Sequence, residues 1–245
     1  PFYLTGAIGL LWVLTWYLFT TSKPDQSVYI TDTELQYILD NREGMRDQRP
    51  MTHVPWRAVF TSRPVWGLLL LNWIVSWVHY TMMNHFKYYT ANVLRITDDL
   101  SQSGAIFAEG LVMPLSTVSW GFVSDYLINH KYMSRTVNRK VIGFTSSMLL
   151  IPCLLSIPLA GCNGPLVFSV NVVLCYCRGI FFSTMMSNPQ DLSPRHAGLL
   201  MAVLFSTASV PGLLSRELVH QIVDESTDIS KWWILFLLLA VMLVV

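Results

Sequence analysis

Seven long apolar runs divide the chain, each separated from the next by a polar or charged stretch. They cover about Phe2 to Phe19, Val65 to Phe86, Gly104 to Tyr126, Val141 to Ala160, Leu166 to Ser187, Ala197 to Leu214 and Trp232 to Val245. An α-helix rises about 1.5 Å per residue and the hydrocarbon core of a bilayer is about 30 Å thick, so about 20 apolar residues make one crossing. The pattern predicts a multi-span α-helical membrane protein. The last run is too short for a comfortable crossing, and the chain opens on Pro1 with no signal-like region, so both ends read as cut and a piece of a longer protein is expected.

Composition agrees with this reading. Of 245 residues, 53% are hydrophobic and only 13% charged, with a mean hydropathy of +0.45, values suited to lipid rather than water. A net charge of +1 gives no field for nucleic acid, so charge informs only through its position along the chain. Cys153, Cys162, Cys175 and Cys177 lie in or beside apolar runs without the spacing of a zinc site or a disulfide framework, and read as small apolar fillers.

Lysine and arginine favour the cytoplasmic ends of spans. Lys23, Arg42, Arg46, Arg49, Arg57 and Arg63 fall between the first and second runs, Lys131, Arg135, Arg139 and Lys140 between the third and fourth, and Arg195 between the fifth and sixth. The opposite side holds only Lys87, Arg95, Arg216 and Lys231, with Arg178 left inside a run. This bias places the long polar linker in the cytoplasm and the turn at Cys162 outside or in a lumen. Within the linker, Thr31 followed by Glu34 forms a capping box ahead of Leu35, Ile38 and Leu39, which predicts a short amphipathic helix on the membrane surface.

Polar residues inside spans are costly and mark candidate sites. Asn72, Ser76, His79 and Met83 recur at helical spacing in the second run, with Tyr80 and Lys87 at the margin of the same face. That face is expected to meet water or substrate; the alternative is that Asn72 and Ser76 bind neighbouring helices and that His79 is a satisfied buried histidine. The third run carries Glu109, Ser116 and Trp120 on one face, and the fifth carries Asn171, Cys175 and Arg178. Counted from the outer ends, Glu109 lies about 8 Å deep and Arg178 about 18 Å deep. The mismatch argues for separate roles, each residue facing a cavity, rather than for a direct pair. At the inner end of the third run, Gly121 and Asp125 precede Arg135 and Arg139. A glycine permits close helix approach and an aspartate at a helix C-terminus calls for compensating cations, so these four residues are expected to form an electrostatic latch, the alternative being an ordinary solvated loop.

The step from Gly121 to Asp125 followed by basic residues resembles the loop repeated in the two halves of major facilitator transporters. More specifically, the stretch from Asn188 through Asp191 and Pro194 to Ala197-Gly198, with Val210-Pro211-Gly212, is similar to the anion:cation symporter family: sialin, vesicular glutamate transporters and type I sodium-phosphate cotransporters. Pro55-Trp56-Arg57, Thr61-Ser62, Trp77 with Tyr80, and Gly179 with Ser183 extend the resemblance over nearly the whole chain. It implies an all-α membrane protein, a partial major facilitator superfamily helical bundle. Residues 1–20 would be the family's sixth helix, 21–64 its central cytoplasmic loop, and 65–245 its carboxy-terminal six-helix bundle with the last helix shortened, the amino-terminal half being absent. The chain departs from the family at Pro189 in place of histidine, Val75 in place of an arginine, Glu109 in place of proline and Arg178 in place of a small residue. These departures imply a divergent member with its own substrate.

The function expected is secondary transport of a small organic anion or phosphate, coupled to a proton or sodium gradient, by alternating access between two bundles. Asn72, Ser76, His79, Tyr80, Glu109, Arg178 and Asn188 are the candidate translocation residues. No cofactor, metal or nucleic acid is expected, and motifs for nucleotide binding or covalent catalysis are absent from the sequence. A lysosomal, vesicular or plasma membrane would host the protein. The rival is a receptor or scaffold that keeps the fold without transporting. Topology has a direct check in a background lacking Cys162. Asn163→Cys should be labelled from outside or from the lumen and Arg135→Cys only from the cytoplasm; labelling of both from one side overturns the assignment.

Overall fold

The structure, a computed structural model, describes residues 2–40, 56–96, 104, 106–224 and 227–244. Pro1, Arg42, Arg46, Arg49, Pro55 and Val245, used above, lie outside the described residues. The chain forms two units, Pro1–Met51 and Thr52–Val245. In the first, α1 (Phe2–Phe19) buries no residue. It is apolar all round, as a lipid-facing helix is, with Trp12 stacked on Trp16 at 5.2 Å. The helix α2 (Asp32–Asp40) begins where Thr31 Oγ1 accepts the Glu34 N–H at 3.4 Å.

The second unit begins with α3 (Trp56–Thr61) and α4 (Arg63–Tyr88), which widens into π-helical hydrogen bonding over Tyr89–Val93. A second π-helical segment, Ala108–Val112, leads into α5 (Met113–Asn129). Then follow α6 (Arg135–Leu159), α7 (Gly164–Leu192), α8 (Ala197–Val223) and α9 (Ile229–Met242). Six helices among the described residues are long and apolar enough to cross a membrane, and α9 is shorter. Most of the helices run past their apolar stretches. Ser134 caps α6 by accepting the Val137 N–H and Asn163 caps α7 by accepting the Leu166 N–H, so helical bonding starts before hydropathy rises. The backbone satisfies itself within each helix, and the polar ends extend to where headgroups and water take over.

Packing places α7 at the centre, against α5 on one side and α6 on the other, while α4 packs on α8 and α9 on α6 and α8. Helices in lipid gain little from burying apolar surface, and adhere through close backbone approach and interhelical hydrogen bonds. The α5–α7 contact has that character. Ser116 Oγ donates to the Tyr176 carbonyl at 2.7 Å and Thr117 Oγ1 to the Gly179 carbonyl at 3.1 Å. Each such bond contributes on average about 0.6 kcal/mol in a membrane. A Cβ on Gly179 would stand 2.5 Å from the Met113 carbonyl oxygen, so only glycine fits there. One turn inward, Gly121 approaches Ser183. The paired positions rise together along both helices, which makes α5 and α7 parallel. By contrast, α6 and α7 are antiparallel, joined through Gly161 at φ +57°. The pair α4 and α8 is held by Asn72 Nδ2 donating to the Leu204 carbonyl at 2.9 Å and by the Tyr80 ring against Gly212.

Overpacking a tight contact costs about 1–3 kcal/mol. Gly179→Leu should therefore lower the thermal unfolding midpoint of the detergent-solubilised protein, whereas Gly67→Ala, where an added Cβ meets nothing within 4 Å, should leave it unchanged. Equal midpoints for the two variants would rule out the α5–α7 contact as a determinant of stability.

Candidate functional site

The polar face of α4 divides into two parts. Asn72 is engaged with α8 through its amide, and Ser76, buried, donates to the Asn72 carbonyl at 2.7 Å. The Asn72 amide thus ties α4 to α8, while the Ser76 hydroxyl is satisfied within α4 by the carbonyl one turn back. One turn further out, His79 and Tyr80 meet edge to face with ring centroids 5.1 Å apart. His79 is half-buried, and its Nδ1 is enclosed without a hydrogen-bond partner among the described residues.

The polar faces of α5 and α7 turn toward each other. Trp120 Nε1 donates to the Tyr176 hydroxyl at 2.9 Å. Further out, Arg178 Nη2 donates to the Glu109 carboxylate and lies 3.7 Å from Met113 Sδ. Depth counting argued against this pair, and the structure corrects it. Because α5 and α7 run parallel, and a side chain on a helix leans toward its N-terminus, Arg178 extends outward along α7, past Met113, to the π-helical turn that carries Glu109. Arginine is long enough to cover the difference. The two partners have unequal surroundings, since the arginine side chain is 1% exposed and the glutamate 25%. Arg178 Nε and Nη1 are buried with no hydrogen-bond partner among the described residues. Cys175, fully buried, stands beside the same carboxylate, and His79 lies within electrostatic reach of both charges. The cluster therefore joins α4, the entry to α5, and α7.

At the inner end, Arg139 ties three helices together. Its Nε donates to Asp191 Oδ2 at 2.8 Å and its Nη1 to Ser124 Oγ at 2.8 Å, while Ser124 Oγ donates to Asn138 Oδ1 at 2.7 Å. The acid that meets Arg139 is thus Asp191 of α7, not Asp125. Asp125 is exposed and makes no ion pair among the described residues, and Arg135 is exposed as well. The reason is helical phase: Ser124 faces α6 and α7, so its neighbour Asp125 points away. Asn188 is half-buried and lines a cavity of about 820 Å³ together with Arg135, Arg139 and Asp191. It is therefore grouped with the inner cluster and apart from Arg178. A second cavity of about 500 Å³ lies at the outer ends of α4 and α8, lined by His85, Arg216, Glu217 and His220 among others.

The sequence reading missed Asp191, Ser124 and Asn138 as members of the inner cluster. Asp191 was visible as part of the stretch from Asn188 to Gly198, but nothing in a single sequence says which arginine it meets. All four cysteines are free, with Cys162 exposed and Cys175 and Cys177 buried.

A central helix flanked by tight small-residue contacts, with charged groups held inside apolar helices, defines a multi-pass helical membrane protein. The sequence model of the Major Facilitator Superfamily matches residues 1–215, and the chain belongs to that superfamily. It is 28% identical over 242 residues to the potential vesicular glutamate transporter vglu-3 of Caenorhabditis elegans, which covers 95% of this chain and 42% of that protein. It is 27% identical to a putative inorganic phosphate cotransporter of Drosophila melanogaster (98% of this chain, 45% of the relative) and 24% identical to sialin of Ovis aries (98% and 48%). These relatives form the anion:cation symporter group that the motifs resembled, a family of transporters rather than enzymes. The chain spans less than half the length of each.

The inner cluster carries its own test. Asparagine keeps an acceptor for Arg139 and loses only the charge assistance, so Asp191→Asn should destabilise the folded protein by about 1 kcal/mol. Asp125→Asn, at an exposed site, should stay within about 0.5 kcal/mol of the parent. Unfolding midpoints of the two variants side by side decide it, and the reverse order would return the latch to Asp125.

Proposed function

We propose that the full-length protein is a secondary active transporter of small organic anions or phosphate, driven by a proton or sodium gradient, with a site alternately open to the two sides between this bundle and a partner bundle. The observation that carries the proposal is Arg178, a cation buried to 1% exposure whose Nε and Nη1 lack partners among the described residues. An arginine at mid-bilayer depth costs about 2.5–3.5 kcal/mol on insertion scales, and its planar fork suits a carboxylate or phosphate. Two unsatisfied guanidinium nitrogens beside an already paired one are what the oxygens of an anion would complete. The relatives' names, glutamate transporter and inorganic phosphate cotransporter, agree with an anionic cargo.

Under this reading Arg178 attracts the anion, Glu109 holds the guanidinium in the empty state, and His79 and Tyr80 border the same space. Asn72 acts by fixing α4 on α8, and Ser76 lies one turn beyond it on the same face. Gly121, Arg139 and Asp191 close the inner end of the bundle, with Asp125, Arg135 and Asn188 at its rim. The membrane is lysosomal, vesicular or plasma. The amino-terminal bundle would supply the other wall of the site, and no cofactor or metal takes part.

Uptake by the full-length protein in proteoliposomes tests the proposal, with glutamate and inorganic phosphate as probes. Arg178→Lys should keep the protein folded and weaken apparent affinity, since it retains the charge and loses the fork. Arg178→Gln should reduce uptake by more than about tenfold, the loss of one charge-assisted contact. Undiminished uptake by a normally folded Arg178→Gln protein would remove Arg178 from the site, and no uptake of any anion by the parent would leave the receptor or scaffold reading.

A further inference from the structure

The pair that holds Arg178 is unequal, and the inequality assigns a role to its other member. Glu109 is partly open, at 25% exposure, while its partner is buried in the apolar interior. It stands on the π-helical segment Ala108–Val112, a widened turn of the kind that recurs at functional positions because its register is easily changed. The groups that face it are Arg178 and Cys175 from α7 and His79 from α4, with Met113 one turn inward on its own helix.

We infer that Glu109 is the site at which the driving cation enters the transport cycle, that this cation is a proton, and that protonated Glu109 hands Arg178 over to the substrate anion. The inference rests on the anion-transport reading above. With Glu109 ionised, the pair is neutral and the guanidinium is partly satisfied. A proton taken up by the Glu109 carboxylate gives a neutral acid and leaves Arg178 with an uncompensated charge in an apolar surround, a state that costs several kcal/mol. A monoanion that takes the place of the carboxylate restores neutrality and supplies acceptors for the three guanidinium nitrogens. An anion arriving while Glu109 is still ionised would put two negative charges on one arginine. Proton and anion therefore load together and leave together, which is a coupling between two binding events and is reciprocal. No charge accumulates when the anion carries one negative charge, so the loaded and empty states are equally neutral. Sodium fits this site less well. Hard cations take several oxygen ligands, and the side chains around Glu109 are a guanidinium, a thiol, an imidazole and a thioether.

The experiment uses the full-length protein in proteoliposomes with labelled glutamate and, separately, labelled inorganic phosphate. For whichever probe the parent carries, an acid-outside pH gradient should drive accumulation. In Glu109→Gln that accumulation should fall by about tenfold or more, a size typical of linked sites. Its exchange of labelled for unlabelled anion, whatever its rate, should lose its dependence on pH, and Glu109→Asp should restore that dependence. Gradient-driven accumulation by Glu109→Gln equal to the parent's, or exchange that keeps the parental pH profile, overturns the inference while leaving anion transport in place. A parent that carries neither probe overturns the transport reading instead. If Glu109→Gln does not fold, the unaltered protein still decides the matter. Addition of the transported anion to it in weakly buffered detergent should draw about one proton per anion from solution, by the linkage between the two sites, and no proton uptake overturns the inference.

Discussion

The geometry of the bundle depends on one contact, the approach of Gly179 to the Met113 carbonyl and to Ser116. In lipid there is no water to expel from between helices, so the register of two neighbours is set where their backbones come closest. At Gly179 the space for a Cβ is already taken by a carbonyl oxygen, and the hydroxyls of Ser116 and Thr117 fix the same register by donating across the gap. Once α5 and α7 are held there and run parallel, the other pairings follow. Trp120 reaches Tyr176, Gly121 reaches Ser183, and Arg178 has Glu109 as the acid within its reach.

The same dependence explains what was legible in the sequence. Apolar runs located the spans, because the length and composition of a crossing helix are imposed by the bilayer and not by neighbours. The polar faces of Glu109, Ser116 and Trp120 and of Asn171, Cys175 and Arg178 were legible for a similar reason, since helical spacing alone groups them. Their meeting was not legible. Depth counted from the ends of apolar runs treats every helix as starting at the same level. Helices here begin before hydropathy rises, as at Ser134 and Arg135, and α5 and α7 are staggered by their own contact. Asp125 failed for an angular reason. It stands next to Ser124 in sequence but about 100° away around the helix, and it is Ser124 that looks into the bundle. Asp191, far along the chain, supplies the acid instead.

Helix α7 carries a charged member of each of the two ion pairs among the described residues, Arg178 toward its middle and Asp191 near its inner end. The two pairs differ in surroundings and so in consequence. Arg139 and Asp191 are 11% and 25% exposed at the end of the bundle, where water and salt moderate their attraction. They have Ser124 as a further partner. Such a cluster joins helix ends and releases them without great cost. Arg178 has no comparable support among the described residues: one acid, one thioether and two guanidinium nitrogens without a partner.

A buried ion pair is a poor device for stability, because removing two charges from water costs about as much as their attraction returns, and apolar residues of similar volume would often hold the helices as well or better. The tight contact at Gly179 and the serine and threonine hydroxyls already supply adhesion between α5 and α7. Arg178 and Glu109 are therefore surplus to packing, and their placement has to be accounted for by what each does when the other is engaged elsewhere. On the proposed reading, a guanidinium with unused donors favours an incoming anion, and a partly exposed carboxylate favours an incoming proton. Neither event is favourable alone in an apolar surround, and together they return the site to neutrality. On the proposed reading, the arrangement that weakens the pair as a structural element is the one that lets it link two ligands.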